Sequence, residues 1–205
     1  MIPSASTCFP VAAVILAAGE ARRMGSLKQL LPLGKSTLLG RTIDVAAEAG
    51  FSPVIVVVGA EAEAVRASIA CKRVDIVSNP EWRTGMGSSI RAGIQHFQRL
   101  GAESAAIAIL VSDQPLVTAA ALREMRKLLN LSRASVVAAE YGGTLGVPAL
   151  FRRSLVSRLM SLPAQAGAKV LFKDPNLKVA AFALPEAGID VDTPEDFASL
   201  QVNKE

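Results

Sequence analysis

The stretch Ile15-Leu-Ala-Ala-Gly-Glu-Ala-Arg-Arg-Met-Gly-Ser-Leu-Lys-Gln-Leu-Leu-Pro32 joins the end of an apolar run, residues 11–17, to a loop with two glycines and three cations. Because glycine has no side chain, the backbone of such a loop can approach a polyanion, and its N–H groups can face phosphate oxygens. Arg22, Arg23 and Lys28 add positive charge, and arginine can bind a phosphate through two parallel hydrogen bonds. The loop therefore predicts a phosphate site after the first strand of an α/β protein; the alternative is a polar surface loop with incidental charges.

The glycine spacing of this loop matches neither of two common nucleotide-binding motifs. The GxxxxGK[ST] pattern of P-loop proteins is absent, and Gly19 and Gly25 do not fit the GxGxxG pattern of dinucleotide-binding proteins. A nicotinamide- or flavin-dependent oxidoreductase is therefore disfavoured. The two cysteines, Cys8 and Cys71, form no CxxC redox pair either.

Apolar runs alternate with helix-like stretches in the first two thirds of the chain. Residues 11–17, 53–58, 74–78 and 105–111 are predicted strands. The stretches between and after them, residues 36–49, 61–70, 88–100 and 118–129, are predicted helices. This order predicts a mostly parallel sheet with right-handed crossovers.

The pattern changes in the last third of the chain. Residues 135–140 and 147–151 predict a pair of strands around a glycine-rich turn at 142–146. Short helices at 154–160 and 167–172 and a strand at 178–183 follow, and Asp192-Thr-Pro-Glu-Asp196 opens a final helix. We expect residues 1–205 to form one domain, with residues 1–10 as a flexible tail.

The composition limits the class of protein. Of the 205 residues, 51% are apolar but only 4% are aromatic, so the core must consist of Ala, Val, Leu and Ile, which suits a buried parallel sheet. The net charge of +4 is spread along the chain, with no basic run and no interleaved aromatic residues. We therefore expect no nucleic acid partner and no membrane partner, but a small phosphorylated molecule.

The location expected from the sequence is cytoplasmic. Two cysteines without metal or disulfide spacing favour a reducing compartment. The apolar run at 11–18 is too short for a signal peptide or a membrane helix.

Carboxylates follow two of the predicted strands. Asp113 comes directly after the run 105–111, where a lone carboxylate suits Mg²⁺, an ion that prefers oxygen ligands; the alternative is an ordinary turn aspartate. Asp190 and Asp192 alternate, so both would face one side of a strand and one could complete the metal site. The alternative for Asp192 is that it caps the terminal helix.

The segment Thr84-Gly-Met-Gly-Ser-Ser89 places two glycines and three hydroxyl groups just before a helix. Its free N–H groups could bind a base edge or a phosphate. The alternative is an ordinary serine N-cap. Trp82 could cover a ring system, or it could be a half-buried packing residue.

In this order, these residues resemble the MobA-like NTP transferases of the molybdenum cofactor pathway, and most closely the molybdenum cofactor cytidylyltransferases. The opening pattern LAAGxxxRMGxxKQLLP is matched at Leu16, Ala17, Ala18, Gly19, Arg23, Met24, Gly25, Lys28, Gln29, Leu30, Leu31 and Pro32. Later matching blocks are Val58-Gly59, Asn79-Pro80 with Trp82, Gly85-Met86 with Ser88-Ser89, Asp113-Gln114-Pro115, Gly146-Val147-Pro148 with Phe151, and Asp190-Val-Asp-Thr-Pro-Glu-Asp196. The resemblance spans residues 11–200.

The resemblance implies a three-layer α/β/α, Rossmann-like nucleotidyltransferase fold with a mostly parallel central sheet. It also implies transfer of CMP from CTP to a molybdopterin-type molybdenum cofactor, with release of pyrophosphate. Such a transfer needs no protein nucleophile, because in-line positioning, a metal ion and cations on the leaving pyrophosphate suffice.

The resemblance also implies roles for individual residues. Arg23, Lys28 and Asp113 would be catalytic, and Asp113 would hold Mg²⁺ together with Asp190 or Asp192. The nucleotide would be bound by Leu16, Ala17, Ala18, Gly19, Gly25, Asn79, Gly85, Met86, Ser88 and Ser89. Gly146 and Pro148 would line the acceptor site.

Two departures from the family pattern leave the donor base and the acceptor open. Ala21 stands where cytidylyltransferases usually carry serine, and Glu-Ala-Arg-Arg-Met-Gly at 20–25 looks more like the guanylyltransferase branch. A block that often reads Gly-Asp-x-Gly-Ala-Arg in relatives is Ala164-Gln-Ala-Gly-Ala-Lys169 here, so Gln165 replaces a carboxylate. The alternatives are a GTP-dependent enzyme, a sugar-phosphate nucleotidyltransferase, and a non-catalytic carrier that holds molybdenum cofactor for a molybdoenzyme.

Overall fold

The alternation of strands and helices expected from the sequence is present in the structure. The computed structural model describes residues 9–19, 27–191 and 193–202. The strands are β1 (Val11–Ala17), β2 (Pro32–Leu33), β3 (Ser36–Thr37), β4 (Val54–Val58), β5 (Asp75–Ser78), β6 (Ala106–Val111), β7 (Val136–Tyr141), β8 (Thr144–Arg152) and β9 (Val179–Ala183). The helices are α1 (Leu38–Glu48), α2 (Ala62–Ser68), α3 (Met86–Arg99), α4 (Ala119–Leu131), α5 (Val156–Met160), α6 (Lys169–Phe172) and α7 (Pro194–Val202).

The central sheet has the strand order β5-β4-β1-β6-β8-β7-β9 in the described part of the chain. Strand β8 runs antiparallel to its neighbours β6 and β7, and the other neighbouring pairs are parallel. β1, at the middle of the parallel part, is buried along its whole length, as an uninterrupted apolar run in a parallel sheet should be.

Two apolar clusters cover the two faces of this sheet. Because side chains alternate along a strand, Ala13 and Ile15 of β1 face one cluster while Val14 and Leu16 face the other. The first cluster takes its helical side chains from α1, α2 and α4, and the second from α3, α5 and α6. The predicted three-layer α/β/α architecture with a mostly parallel sheet is therefore confirmed.

The first predicted helix, residues 36–49, begins later than expected. Residues 32–37 form a small antiparallel pair, β2 with β3, before the helix starts at Leu38. Thr37 caps this helix, since its hydroxyl oxygen accepts a hydrogen bond of 3.0 Å from the N–H of Gly40. Residues 36–37 of the predicted helix therefore belong to a hairpin strand, and the helix comprises residues 38–48.

The segment that carries Asp190 is also different from the prediction. Residues 189–191 are not a strand but an irregular connection between a 3-10 turn at Pro185–Gly188 and α7. The strand from which the alternation of Asp190 and Asp192 was predicted is therefore not present at residues 189–191, and Asp192 lies outside the described residues. Thr193 caps the final helix. Its hydroxyl oxygen accepts a hydrogen bond from the N–H of Asp196, and the carboxylate of Asp196 accepts one from the N–H of Thr193.

The parallel strands end at one edge of the sheet, and this edge collects the polar loops. Leu16 of β1 lies beside Val111 of β6, and Ala17 lies beside Val58 of β4. The carboxyl ends of these strands therefore lie side by side, although they are far apart in sequence. Ligands of open α/β sheets bind at such an edge.

Among the described residues, no helix combines the length and the apolar character that crossing a membrane requires.

The close approach of α3 to the sheet depends on Gly93. A methyl group at this position would overlap Val14 of β1 and would stand 3.0 Å from Cγ2 of Val57 in β4. We expect Gly93→Ala to lower the free energy of unfolding by about 1–3 kcal/mol, because overpacking outweighs the gain in helix propensity of up to about 1 kcal/mol. Urea unfolding measures the change, and the exposed Gln95→Ala on the same helix should stay within about 0.5 kcal/mol. A stabilised Gly93→Ala protein would contradict this packing.

Candidate active site

A cavity of about 280 Å³ lies at the carboxyl ends of β1 and β6. Its lining consists of Leu16, Ala17, Ala18, Gly19, Lys28, Gln29, Trp82, Gly85, Met86, Ser89, Val111, Ser112 and Asp113. Among the described residues, most of those predicted to bind a nucleotide therefore lie together in the lining of this cavity. The cavity combines small apolar side chains with a few polar groups, as ligand pockets usually do.

Lys28 and Asp113 form an ion pair in this cavity. Lys28 starts a 3-10 turn, Lys28–Leu30, and Asp113 follows β6 by two residues. The Lys28 Nζ atom is 2.6 Å from Asp113 Oδ2, and each side chain is only 20% exposed. The pairing of β1 with β6 places these two residues, 85 positions apart, in contact. A cation and a carboxylate therefore lie in contact within the lining of this cavity.

The second carboxylate oxygen of Asp113 is available for a metal ion. Asp113 Oδ1 is buried and has no hydrogen-bond donor among the described residues. An ionised carboxylate oxygen that is buried without a partner is costly, and a divalent cation would satisfy it. The free carboxylate oxygen of Asp113 is therefore a suitable ligand for Mg²⁺ or Mn²⁺.

Asp190 lies next to Asp113 in space. The N–H of Val191 donates a 3.0 Å hydrogen bond to the main-chain oxygen of Asp113, and the Asp190 side chain is exposed. Within the described ranges, no group of three or more Asp, Glu, His or Cys residues could hold a metal. Mg²⁺ commonly needs only one or two carboxylates, because water and substrate phosphates complete its coordination.

Tyr141, at the end of β7, has a pKa that is raised in part by the negative charges of this region. Burial raises the pKa of its hydroxyl group, a hydrogen bond with Gln114 lowers it, and the negative charges of Asp190 and Asp113 raise it further. Both carboxylates therefore act on the same phenol group. Tyr141 also donates a hydrogen bond to the main-chain oxygen of Val147, and the ammonium group of Lys169 lies 6.0 Å from its ring centroid.

Trp82 forms another part of the cavity wall. It packs against Gly59, where an added Cβ would stand 2.6 Å from the Trp82 Cβ. The Arg83 guanidinium carbon lies 4.4 Å from the centroid of the Trp82 ring. The packing interpretation is therefore confirmed, and the covering of a ligand ring stays a prediction for a residue that also lines the cavity.

The structure gives Asn79 and Ser88 a different place from the predicted one. Asn79 is buried, and its amide nitrogen donates to the hydroxyl oxygens of Ser88 and Ser89 at 2.9 and 3.0 Å. Its side-chain oxygen accepts from the N–H of Glu81. The Ser88 hydroxyl in turn donates to main-chain oxygens of Glu81 and Gly85. Neither residue lines the cavity with Lys28; both line another space of about 390 Å³, and their polar side-chain atoms hold the loop before α3.

The N–H groups at the start of α3 are also less available than the sequence suggested. The N–H of Gly87 donates to the main-chain oxygen of Ala164 at 2.9 Å, and that of Ser88 donates to Gly85 and Ala164. Gly85, at φ +125°, is the N-cap residue, so the alternative of a serine cap is wrong. Residues 163–166 therefore occupy the helix start, while Met86 and Ser89 line the cavity.

Gly146 and Pro148 lie away from this cavity. A Cβ at Gly146 would overlap the Tyr141 hydroxyl, so Gly146 makes room for that ring. Pro148 lines a separate space of about 10 Å³ together with Arg41 and Gln114. Neither residue is in the lining of the cavity with Lys28, and their predicted contact with an acceptor stays a prediction.

Three of the predicted site residues lie outside the described residues. These are Arg23, Gly25 and Asp192.

Sequence reasoning assigned no role to Gln29, which the structure places in the cavity wall. Its amide nitrogen donates to the main-chain oxygens of Ala17 and Gly19, at 3.2 and 2.8 Å. The available signal was an amide side chain within the otherwise apolar run that follows Lys28. Buried polar residues of this kind are uncommon and are normally hydrogen-bonded.

Two curated proteins show similarity to this chain. The Purine catabolism protein PucB of Bacillus subtilis is 27% identical over 194 residues, which cover 90% of this chain and 92% of that protein. A protein of Opitutus terrae named "Probable molybdenum cofactor guanylyltransferase" is 33% identical over 127 residues, covering 62% of this chain and 59% of that protein.

A solved structure has the same fold over nearly the whole chain. Rv0371c of Mycobacterium tuberculosis is 31% identical, with a TM-score of 0.77, and the match covers 93% of this chain and 97% of that one. The same protein has also been solved in complex with manganese.

The family model of the MobA-like NTP transferase domain matches residues 13–180. This range includes most of β1, the following loop, Lys28, Asp113 and the β7–β8 hairpin. The chain is thus a nucleotidyltransferase and belongs to the MobA-like NTP transferase family.

Proposed function

We propose that this protein transfers CMP from CTP to a molybdopterin-type molybdenum cofactor and releases pyrophosphate, with Mg²⁺ at Asp113. The observation that carries the proposal is the Lys28–Asp113 pair in a cavity at the sheet edge, with Asp113 Oδ1 buried and unpartnered among the described residues. The resemblance of the sequence to the cytidylyltransferase branch supports CTP. A relative named for molybdenum cofactor chemistry supports the acceptor.

The reaction places a modest chemical demand on the protein. An oxygen of the acceptor phosphate forms a bond to the α-phosphorus of CTP, and the bond between that phosphorus and the bridging oxygen to the β-phosphate breaks. No side chain has to form a covalent bond, so the residues act by positioning and by charge. When bound, Mg²⁺ neutralises phosphate charge and orients the phosphate oxygens.

The residues of this chain would divide these tasks. Lys28 would place its ammonium group against the phosphates, where negative charge develops as pyrophosphate leaves. The small residues Ala17, Ala18 and Gly19 would let the phosphates approach the backbone closely. Asp113 would hold the metal ion, with Asp190 or Asp192 as the second carboxylate. Arg23 would add a second cation near the leaving group.

GTP is the second candidate donor. The relative from Opitutus terrae is named as a guanylyltransferase, and the sequence at 20–25 resembles that branch. A direct assay decides between the two: pyrophosphate release is measured with CTP, GTP, ATP and UTP, with and without molybdenum cofactor. Release with CTP only in the presence of the cofactor is expected. Release with GTP instead would move the protein to the guanylyltransferases, and binding of the cofactor without any release would indicate a carrier.

The ion pair in the cavity should be essential for turnover. We expect Lys28→Met and Asp113→Asn each to lower kcat/KM by about 100-fold or more, because a charge that faces the transferring phosphoryl group is lost. A matched pair provides the control. Lys72 and Asp44 also lie 2.6 Å apart but outside the cavity, so Lys72→Met and Asp44→Asn should keep the rate within about twofold, as surface ion pairs contribute little. Wild-type rates in both cavity variants would overturn the site assignment.

The activity should depend on a divalent cation. We expect a chelator to abolish pyrophosphate release and added Mg²⁺ or Mn²⁺ to restore it. In Asp113→Asn, the Mg²⁺ concentration that gives the half-maximal rate should rise by roughly tenfold or more, since losing even an indirect partner of a metal ligand has an effect of that size. Full activity in the presence of the chelator would exclude the metal from the mechanism.

A further inference from the structure

Gln29 is the most deeply buried polar side chain that lines the cavity, at 1% exposure. It follows Lys28 in the 3-10 turn, so its position is tied to that of the ion pair. Its amide nitrogen donates one hydrogen bond to the main-chain oxygen of Ala17 and one to that of Gly19. These two bonds hold the last residue of β1 and the second residue of the following loop against the turn.

The two bonds also fix the orientation of the amide group. A glutamine amide has two N–H donors on nitrogen and an acceptor oxygen, and both partners here are carbonyl oxygens. A flipped amide would place oxygen against oxygen, so the hydrogen-bond network excludes it. The side-chain oxygen, Oε1, must therefore be the free end of the group.

Gln29 Oε1 is buried and accepts no hydrogen bond within the structure of residues 9–19, 27–191 and 193–202. Leaving a buried acceptor without a donor is unfavourable, so a donor in the bound state would recover this free energy. A carbonyl oxygen attracts N–H and O–H groups and repels phosphate oxygens. The partner is thus to be sought in the nucleoside part of the nucleotide and not in its triphosphate.

We propose that Gln29 Oε1 accepts a hydrogen bond from an N–H or O–H donor of the bound nucleoside, which makes Gln29 a specificity-determining residue. The donor is the exocyclic amine of the base or a ribose hydroxyl group. A site that hydrogen-bonds one ligand group discriminates strongly against an analogue that lacks it, because the buried oxygen is then left unpaired. This inference rests on the proposed function.

Gln114 offers a matched control for this proposal. It is also buried, its amide nitrogen donates to the main-chain oxygen of Ala187 at 2.7 Å, and its Oε1 is likewise unpartnered among the described residues. It lines the separate space of about 10 Å³ with Arg41 and Pro148 and not the cavity with Lys28. That space is about large enough for one water molecule, so replacing Gln114 should affect stability without affecting nucleotide discrimination.

The experiment measures nucleotide binding to the full chain in the presence of Mg²⁺ and without acceptor, by calorimetry and by the fluorescence of Trp82, the single tryptophan. CTP is compared with UTP, and GTP with ITP, which tests the exocyclic amine. The 2′-deoxy and 3′-deoxy forms of CTP and GTP test the ribose hydroxyl groups. The wild-type protein should bind the nucleotide that carries the donor group about tenfold more tightly than the analogue that lacks it.

Gln29→Met removes the whole amide group. In this variant the ratio of the two affinities should fall to about one, and binding of the preferred nucleotide should weaken by about tenfold. Gln29→Lys keeps a donor for Ala17 and Gly19 but lacks the acceptor, and it should lose the preference in the same way. Gln114→Met should keep the wild-type preference. If both Gln29 variants fold and retain the wild-type ratio for every pair, or if the wild-type protein shows no preference, the oxygen does not recognise the nucleoside and the proposal is wrong. If the wild-type protein binds no nucleotide, the proposed function fails as well.

Discussion

The pairing of β1 with β6 is the constraint on which the site depends. It places the loop after Ala17 beside the loop after Val111, and it brings Lys28 within 2.6 Å of Asp113. Both strands are buried on their two faces, so a shift of one residue in register would exchange side chains between the two packed layers and disrupt their close packing. The hydrophobic core therefore fixes the geometry of the charged pair, and the charged pair does not have to stabilise the fold.

The cavity walls are held by polar groups that are themselves occupied. Asn79 and Ser88 use their hydrogen-bonding atoms to shape the loop before α3, and the main-chain oxygen of Ala164 accepts hydrogen bonds from the N–H groups of Gly87 and Ser88 at the helix start. This arrangement leaves few polar groups for a ligand. Asp113 Oδ1 and Gln29 Oε1 differ from the other buried and unpartnered polar atoms of the described residues because their side chains line the cavity. The first suits a cation and the second suits an N–H or O–H donor, which is the complement of a metal-bound nucleotide.

Most of the fold was accessible from the sequence, because the buried strands are uninterrupted apolar runs and the helices carry apolar residues at helical spacing. The predictions were wrong where a short segment could form either of two kinds of local structure. Residues 32–37 form a hairpin before α1, and residues 189–191 are irregular and not a strand. Propensity cannot distinguish these cases, since the choice depends on contacts made after the sheet has formed. The role of Gln29 could not be predicted either, because its carbonyl partners are set by the shape of the loop.

The sequence by itself determined the class of the protein: the glycine- and cation-rich loop, the aspartate after the strand 105–111 and the order of apolar runs depend only on residue type and spacing. The tertiary structure decided which polar residues face the cavity and which serve the backbone. Two residues of the same type show the difference, since Gln29 lines the large cavity and Gln114 lines a separate, much smaller one. The physical reason is that a buried amide takes whichever partners the surrounding backbone presents, and these partners come from parts of the chain that only folding brings together.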